Sequence, residues 1–271
     1  MNNDEKLYYH YCKVDTLYSM VTHKKLWLSD AKYMNDKLET IYVNTVVNDI
    51  LKNLEEDTSV DKNRIAQFEK YYNELKGKQH FLMCFSKIGD LLSQWRGYGD
   101  DAKGVSIGFD FNNTFYPKEP FSVNGKSQTG QLGYQDVNYK YYCTLKKWII
   151  EAIKEKHDIK TSTVLFKDFD TIIKHSYFKE EQEVRLVYTP ENQKQKGADA
   201  ATTYISDKTL FRTRDNQIIP YYEFDFSTKL DLIKKIIIGS KSPLDTEELK
   251  FFLSESGFEY VKVVKSESPY Q

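Results

Sequence analysis

Cysteine is scarce in this sequence, and its spacing argues against two kinds of cysteine-dependent protein. Cys12, Cys84 and Cys143 are an odd number at wide intervals, and they form neither a C-x-x-C pair nor a dense disulfide framework. The five histidines are scattered in the same way, so the spacing predicts no metal site. Reduced thiols are typical of the cytosol, and we therefore expect a cytoplasmic protein.

An excess of charge and long apolar runs are also lacking. The 39 Lys and Arg residues nearly balance the 40 Asp and Glu residues, so no net field would hold a polyanion without specificity. No segment approaches the roughly 18 apolar residues that a membrane span needs. We expect neither nonspecific nucleic-acid binding nor a membrane partner, and the sequence does not indicate an oligomeric state.

Aromatic residues, in contrast, are abundant, with 21 Tyr and 16 Phe in an aromatic fraction of 15%. This composition favours a packed, strand-rich globular protein. Alternating and helical patterns predict a single α+β domain over residues 1–271, with two charged helices inserted at residues 38–77. Further helices are predicted at residues 144–156 and 164–178, and the last strands at residues 209–213, 218–226, 232–238 and 260–264.

The segment around residues 83–110 has the composition of a ligand site, because a polar, glycine-rich stretch separates two strand-like runs. Ser86 ends the first run, where its hydroxyl either caps the following turn or contacts a ligand. Trp95 and Tyr98 either form an aromatic wall for a base or a nicotinamide ring, or fill the core. The glycines of this stretch do not form a phosphate-binding fingerprint, and the sequence has no Walker-type motif.

His10 stands in a short aromatic strand near the start of the chain. Alternation places it on the opposite face from Tyr9 and Tyr11. The imidazole is either bonded to a backbone group or orients a ligand hydroxyl near neutral pH. Farther along, the turn at Asn35 and Asp36 offers a carboxylate for ligand contact.

Glu181 and Glu183 form the sharpest local pattern, two carboxylates two residues apart at the start of a predicted strand. Strand alternation would project both from one face. One carboxylate can then stabilise positive charge at a sugar carbon while the other takes a proton from the attacking group. The alternative is an acidic strand edge that pairs with Arg185 or nearby lysines and resists edge-to-edge association.

Five segments together resemble a family of bacterial proteins known as domain of unknown function 2971. They are Tyr9-His10-Tyr11, Leu26-Trp27-Leu28-Ser29 with Asn35-Asp36-Lys37-Leu38-Glu39, Cys84-Phe85-Ser86, Trp95 to Gly104, and Glu180 with Glu183-Val184-Arg185-Leu186. Ile236-Ile237-Ile238-Gly239 is similar to the family's final strand, so the resemblance runs from Leu7 to Gly239. Lys37 stands where the family usually has Pro.

The order of these elements is also similar, more distantly, to that of ADP-ribosyltransferases. That resemblance implies a split, strongly bent mixed β-sheet core with inserted helices. It also implies that His10 holds the nicotinamide side of NAD, Ser86 supports the nicotinamide ribose and Glu183 stabilises the oxocarbenium-like transition state. Glu181 would occupy the position that activates the acceptor in some members. The expected NAD-contacting residues are His10, Ser86, Trp95, Tyr98, Asn35, Asp36 and Arg185.

The expected function is therefore NAD-dependent ADP-ribosyl transfer to an unidentified acceptor, as in a bacterial toxin or phage-defence effector. Two alternatives remain open. The same residues would form a structural hydrogen-bond network in a non-catalytic binding or regulatory module. A nuclease would instead use Asp36, Glu181 and Glu183 to hold a divalent ion.

Overall fold

The computed structural model describes residues 6–34, 38–75, 79–112, 114–117, 132–139, 141–154, 158–163, 170–190 and 204–270. These residues form a mixed α+β fold in which helices surround an open, bent and mostly antiparallel sheet. No helix in these ranges is long and apolar enough to cross a membrane.

Ten strands build the sheet of the described residues. In chain order they are β1 Leu7–Cys12, β2 Lys25–Asp30, β3 Phe81–Ser86, β4 Val105–Asp110, β5 Leu132–Asp136, β6 Glu183–Tyr188, β7 Leu210–Arg214, β8 Gln217–Asp225, β9 Ile233–Ile238 and β10 Lys262–Lys265. The α-helices are α1 Val14–His23, α2 Leu38–Glu56, α3 Lys62–Glu74, α4 Leu92–Gly97, α5 Tyr141–Lys154 and α6 Thr246–Glu255. Short 3-10 helices lie at Ala31–Tyr33, Asp170–Ile172, Ser176–Glu181 and Leu230–Leu232.

The strand order is β10-β9-β4-β1-β3-β2-β8-β7, and β6 joins β3 and β5 outside this path. Among the ten described strands, β9 and β10 are the one pair that runs in parallel, which makes the sheet mixed. Between β4 and β9 the register shifts at Gly108 and Phe109, a bulge of the kind that bends a strand. The prediction of a mixed, bent sheet is thereby confirmed.

The sheet is split beside β3. One edge of β3 pairs along its whole length with β6. On the other edge, β1 pairs only at Tyr9 with Ser86, and β2 pairs only at Ser29 with Leu82 and Asp30 with Phe81. Both strands run antiparallel to β3, and α1 connects them. Because they contact opposite ends of β3, a gap opens between them beside the middle of that strand.

Two hydrophobic clusters support this arrangement. The larger one lies within the sheet and under α6, and it contains buried aromatic side chains such as Phe85, Phe109 and Phe224. The second joins α2, α3 and α5 through residues such as Phe68 and Ile149. In chain order α2 and α3 fall between β2 and β3, within the segment 38–77 that the sequence predicts as a helical insertion.

Local sequence explains several element boundaries. Asp61 accepts a hydrogen bond from the Asn63 amide at 2.9 Å at the start of α3, and Asp245 caps α6 in the same way. The predicted helix at residues 164–178 is wrong over its described part. Residues 170–172 and 176–181 form separate 3-10 turns, and Ile173 between them makes an isolated bridge with Asn138.

Candidate functional site

A cleft of about 950 Å³ lies at the split in the sheet. Its walls come from β1, α1, β2, β3 and β7, together with the segment 173–185. This volume is within the range of small-molecule and cofactor sites. The split explains why a cleft forms here, since backbone pairing that would otherwise close the sheet is missing between β1 and β2.

The cleft brings together five residues that the sequence predicts as functional: His10, Tyr98, Glu181, Glu183 and Arg185. Asn35 and Asp36 lie outside the described residues. Lys174, Arg212 and Arg214 also line the cleft. Sequence reasoning missed these three cations; the predicted strand at residues 209–213 contains Arg212 but ends one residue before Arg214, and in the structure both lie on β7 and share a face.

His10 sits in the gap between β1 and β2. Its Nδ1 lies 2.9 Å from the carbonyl oxygen of Cys84, on the edge of β3 that neither neighbouring strand covers. A carbonyl can only accept, so Nδ1 carries the proton and, in the neutral ring, Nε2 is an acceptor. Burial lowers the pKa of His10, an effect that the hydrogen bond to Cys84 opposes, and the lower pKa favours this neutral form.

Glu183 is the centre of a buried ion-pair network. Its carboxylate lies 2.7 Å from Arg185 Nε, 3.1 Å from Arg185 Nη2 and 3.1 Å from Lys174 Nζ. Burial alone would raise the pKa of Glu183, but Arg185 and Lys174 outweigh it and lower the pKa to about 2. With a side chain only 7% exposed, Glu183 is charged and already satisfied by protein partners.

Glu181 has fewer partners. Its Oε2 accepts from Lys174 Nζ at 2.7 Å, whereas its Oε1 has a contact of 3.5 Å with the Tyr98 hydroxyl, at the limit of a hydrogen bond. Burial raises the pKa of Glu181, and the charge of Glu183 adds to this while Lys174 opposes it. Burial of Tyr98 and the charge of Glu181 raise the pKa of Tyr98 to about 12, so the phenol keeps its proton.

Gln182 explains how the two carboxylates converge on Lys174. Glu181 ends a 3-10 helix and Glu183 begins β6, so the pair does not lie on one strand. Between them Gln182 adopts a left-handed conformation with φ of 43°. The predicted convergence of the carboxylates occurs, but this turn produces it and strand alternation does not.

Cys84 lies beside the same network. On paired strands it lies opposite Arg185, and the charges of Glu183, Arg185 and Lys174 all act on its thiol. Burial and then the negative charge of Glu183 raise the pKa of Cys84 well above its usual value. A nucleophilic cysteine needs the opposite shift, toward the thiolate, so this environment does not activate Cys84.

Ser86 and Trp95 do not line the cleft. Ser86 is 1% exposed, and its hydroxyl donates to the Glu181 carbonyl at 2.8 Å and accepts from the Ile88 amide at 3.1 Å. Trp95 is fully buried, with its Nε1 2.6 Å from an oxygen of Asp90. Of the alternatives that the sequence left open, these contacts correspond to a turn cap for Ser86 and a core side chain for Trp95.

The glycine-rich stretch after Tyr98 serves packing in this structure. Asp100, Asp101 and Ala102 all have positive φ, between 53° and 66°, so the loop is a tight left-handed turn. A Cβ on Gly104 would lie 2.1 Å from the carbonyl oxygen of Cys12, which only glycine avoids. The loop therefore fixes α4, and with it Tyr98, against the end of β1.

Among the described residues, no group of three or more His, Cys, Asp and Glu side chains is placed to hold a metal ion. The nuclease hypothesis also involves Asp36, whose position is outside those residues. The two glutamates that it needs are bridged by the Lys174 ammonium, a cation that already occupies the position between them.

Comparison with known proteins finds a family similarity over part of the chain. Residues 94–186 match the family described as Protein of unknown function (DUF2971). The match confirms the predicted family resemblance over about a third of the sequence. No curated protein and no solved structure matches the chain significantly.

The DUF2971 segment contributes only part of the cleft. Tyr98, Lys174, Glu181, Glu183 and Arg185 lie within it, so the whole ion-pair network belongs to the matched family region. The strands β1, β2 and β7 lie outside residues 94–186. Those strands supply the histidine and the arginine pair of the cleft.

Proposed function

We propose that the cleft binds NAD and that the protein transfers ADP-ribose from it to an acceptor. One observation carries the proposal. The split in the sheet places an acceptor imidazole, a carboxylate with few partners and a protonated phenol around one cavity of about 950 Å³. A dinucleotide offers the hydroxyls and the aromatic rings that such groups bind.

Transfer of ADP-ribose breaks the bond between the nicotinamide nitrogen and C1′ of the ribose. Nicotinamide leaves with the electron pair, and positive charge develops at C1′ before the acceptor attacks. A carboxylate fixed near that carbon stabilises the charge, and a carboxylate within reach of the acceptor removes its proton. The protein must therefore supply a carboxylate that is available to the ligand in a cleft with little water.

We assign that role to Glu181 in preference to Glu183. The resemblance to ADP-ribosyltransferases implied Glu183, but both oxygens of Glu183 already accept from Arg185. Glu181 has one oxygen paired with Lys174 and one that, within the described part of the chain, contacts the Tyr98 hydroxyl at 3.5 Å. In this assignment Glu183 positions Lys174, and Lys174 opposes the rise in the pKa of Glu181 that burial causes.

His10 and Tyr98 are proposed to orient the ribose. Neutral His10 accepts from a ribose hydroxyl through Nε2, because its Nδ1 proton is held by the Cys84 carbonyl. Tyr98 is 37% exposed and lines the cleft, so its ring can contact the nicotinamide while its hydroxyl donates toward Glu181.

The test compares two neighbouring glutamates, Glu181 and Glu180, by NAD consumption and by thermal unfolding with and without millimolar NAD. Ligand that binds only the folded protein must raise its melting temperature. We expect E181Q to abolish NAD turnover while the NAD-induced shift in melting temperature remains. E180Q is the matched control, since Glu180 is exposed and does not line the cleft. Unchanged turnover in E181Q, or no shift in the native protein, would reject the proposal.

A non-catalytic binding module is the second candidate, and the Glu183 network favours it. Three charged side chains satisfy one another there, as in a purely structural network. This candidate predicts that no nucleotide raises the melting temperature and that NAD is never consumed. Measurement of nicotinamide release over hours at high protein concentration separates the two candidates.

A further inference from the structure

Two arginines on β7, Arg212 and Arg214, line one side of the cleft. Arg212 and Arg214 are two residues apart on a regular strand, so both side chains point to the same face. Both line the cleft. They reach it across β8, because the Arg212 Nη2 donates to the Ser29 hydroxyl on β2 at 2.9 Å.

Arg212 is held in a fixed orientation. Its guanidinium lies 5.1 Å from the centre of the Trp27 ring, and the bond to Ser29 sets the rotation of the planar group. Its Nε is buried and makes no hydrogen bond among the described residues. A guanidinium fixed in this way has donors ready for an anion and loses little side-chain entropy on binding one.

Two acidic side chains of β8 have other partners. Glu223 accepts from the Trp27 Nε1 at 3.2 Å, and Asp225 is paired with Lys25. Arg214 donates to the Tyr33 carbonyl and lies 3.8 Å from Asp215, a carboxylate that is 89% exposed. Two cations therefore lie side by side on this side of the cleft. Burial, and to a smaller extent the charge of Arg214, lowers the pKa of Arg212.

We propose that Arg212 and Arg214 form a diphosphate-binding subsite of the cleft. The inference rests on the proposed function in one respect only, the identity of the ligand as a dinucleotide. The proposed subsite also sets the orientation of the dinucleotide, with its phosphates at β7 and its nicotinamide ribose at His10 and Glu181. Planar guanidinium groups match phosphate oxygens in pairs, which lysines do not. Trp27, 38% exposed beside Arg212, provides a surface for an adjacent ring.

The experiment measures the affinity of ADP, of pyrophosphate and of nicotinamide riboside by isothermal titration calorimetry. The variants are R212Q, R212K and R214Q, and R96Q is the matched control because Arg96 is exposed and does not line the cleft. We expect R212Q and R214Q each to weaken ADP and pyrophosphate binding by about tenfold or more. Nicotinamide riboside, which carries no phosphate, should bind the variants and the native protein equally.

R212K tests whether binding needs the paired donors of a guanidinium or only a positive charge. The lysine keeps the positive charge but cannot donate in pairs, so its ADP affinity should fall close to that of R212Q. Melting temperatures of the ligand-free variants report whether any loss comes from unfolding. An ADP affinity in R212Q and R214Q equal to that of R96Q overturns the subsite.

Failure of the subsite and failure of the enzyme assignment give different results. If ADP binds in an arginine-dependent way but NAD is never consumed, the diphosphate subsite stands and the transferase assignment falls. If NAD is consumed but neither arginine affects ADP affinity, the transferase assignment stands and the subsite falls. If the native protein binds neither ADP nor pyrophosphate, the subsite is rejected whatever the outcome with NAD.

Discussion

Two groups of side chains that line the cleft are in opposite situations, and we call them the floor (Glu183, Arg185 and Lys174) and the rim (Glu181, His10, Tyr98 and Arg212). On the floor, Glu183 and Arg185 are buried and satisfy each other with Lys174. On the rim, Glu181, His10 and Arg212 keep polar atoms with weak partners or none among the described residues. A buried charge needs partners from the protein itself, whereas a group that serves a ligand must leave a donor or acceptor available. We infer from this contrast that the floor stabilises the fold, and we predict that the rim binds a ligand.

Breaking the floor should have the largest effect. E183A leaves the Arg185 and Lys174 cations without their main partner, so we expect the free energy of unfolding to fall by about 3–5 kcal/mol. Urea denaturation measures it. E247A is the control, because Glu247 pairs with Lys250 on the exposed surface, and its change should stay below about 1 kcal/mol. Equal losses in the two variants would contradict the distinction between a buried network and a surface pair.

As pH falls, the contributions of Glu183 and Glu181 to the free energy of unfolding should change in opposite directions. The folded pKa of Glu183, about 2, is lowered from 4.5, so its stabilisation is present above pH 4.5 and is lost as pH falls toward 2. The pKa of Glu181 is raised, so the folded state binds its proton more tightly and gains relative stability as pH falls through that value.

We therefore expect E183Q to flatten the acid-induced decline in unfolding free energy and E181Q to steepen it. Urea denaturation of the native protein and both variants, over a series of pH values from neutral to acid, measures the slopes. Parallel slopes for all three proteins would show that the two carboxylates are not in different environments.

Removal of the imidazole should separate stability from binding. H10A deletes one hydrogen bond to the Cys84 carbonyl, so the free energy of unfolding should fall by about 1 kcal/mol. The stabilisation by NAD, in contrast, should disappear. Thermal unfolding with and without NAD gives both values. A variant that keeps the NAD-induced shift would remove His10 from the ligand-binding rim.

The smallest effect is expected for the Tyr98 hydroxyl. Its contact with Glu181 is 3.5 Å long, so Y98F should change the free energy of unfolding by no more than about 0.5 kcal/mol. If the rim acts on ligand as proposed, the same variant should weaken NAD binding measurably in calorimetry. A large loss of stability would instead place Tyr98 with the floor.

Particular residues show where sequence reasoning about this protein succeeds. The alternating runs of β7 to β9 and the helical spacing of α2, α3 and α5 are local signals, and the structure has these elements close to their predicted positions. β5 was not predicted. Its sequence Leu-Gly-Tyr-Gln-Asp has a weak strand propensity, and its pairing with β6, such as Tyr134 with Leu186, comes from residues far along the chain.

The candidate site divides in the same way. The sequence identified His10, Tyr98, Glu181, Glu183 and Arg185, because polar side chains within or beside predicted strands are visible in a one-dimensional pattern. It could not identify Lys174, which lies within the segment 164–178 predicted as an ordinary helix. Nor could it distinguish Ser86 and Trp95, whose buried hydrogen bonds depend on the backbone of residue 181 and on Asp90.

The sequence by itself determined the mixed α+β composition, most of the strands and helices, the aromatic core and the family resemblance. The tertiary structure decided where the sheet splits, which carboxylate is paired with cations through both oxygens and which cations line the cleft. The physical reason is that alternation and helical spacing report the faces of one element, whereas strand order and register arise from pairings between distant segments. His10 meets Cys84 across 74 residues, and Arg212 meets Ser29 across 183.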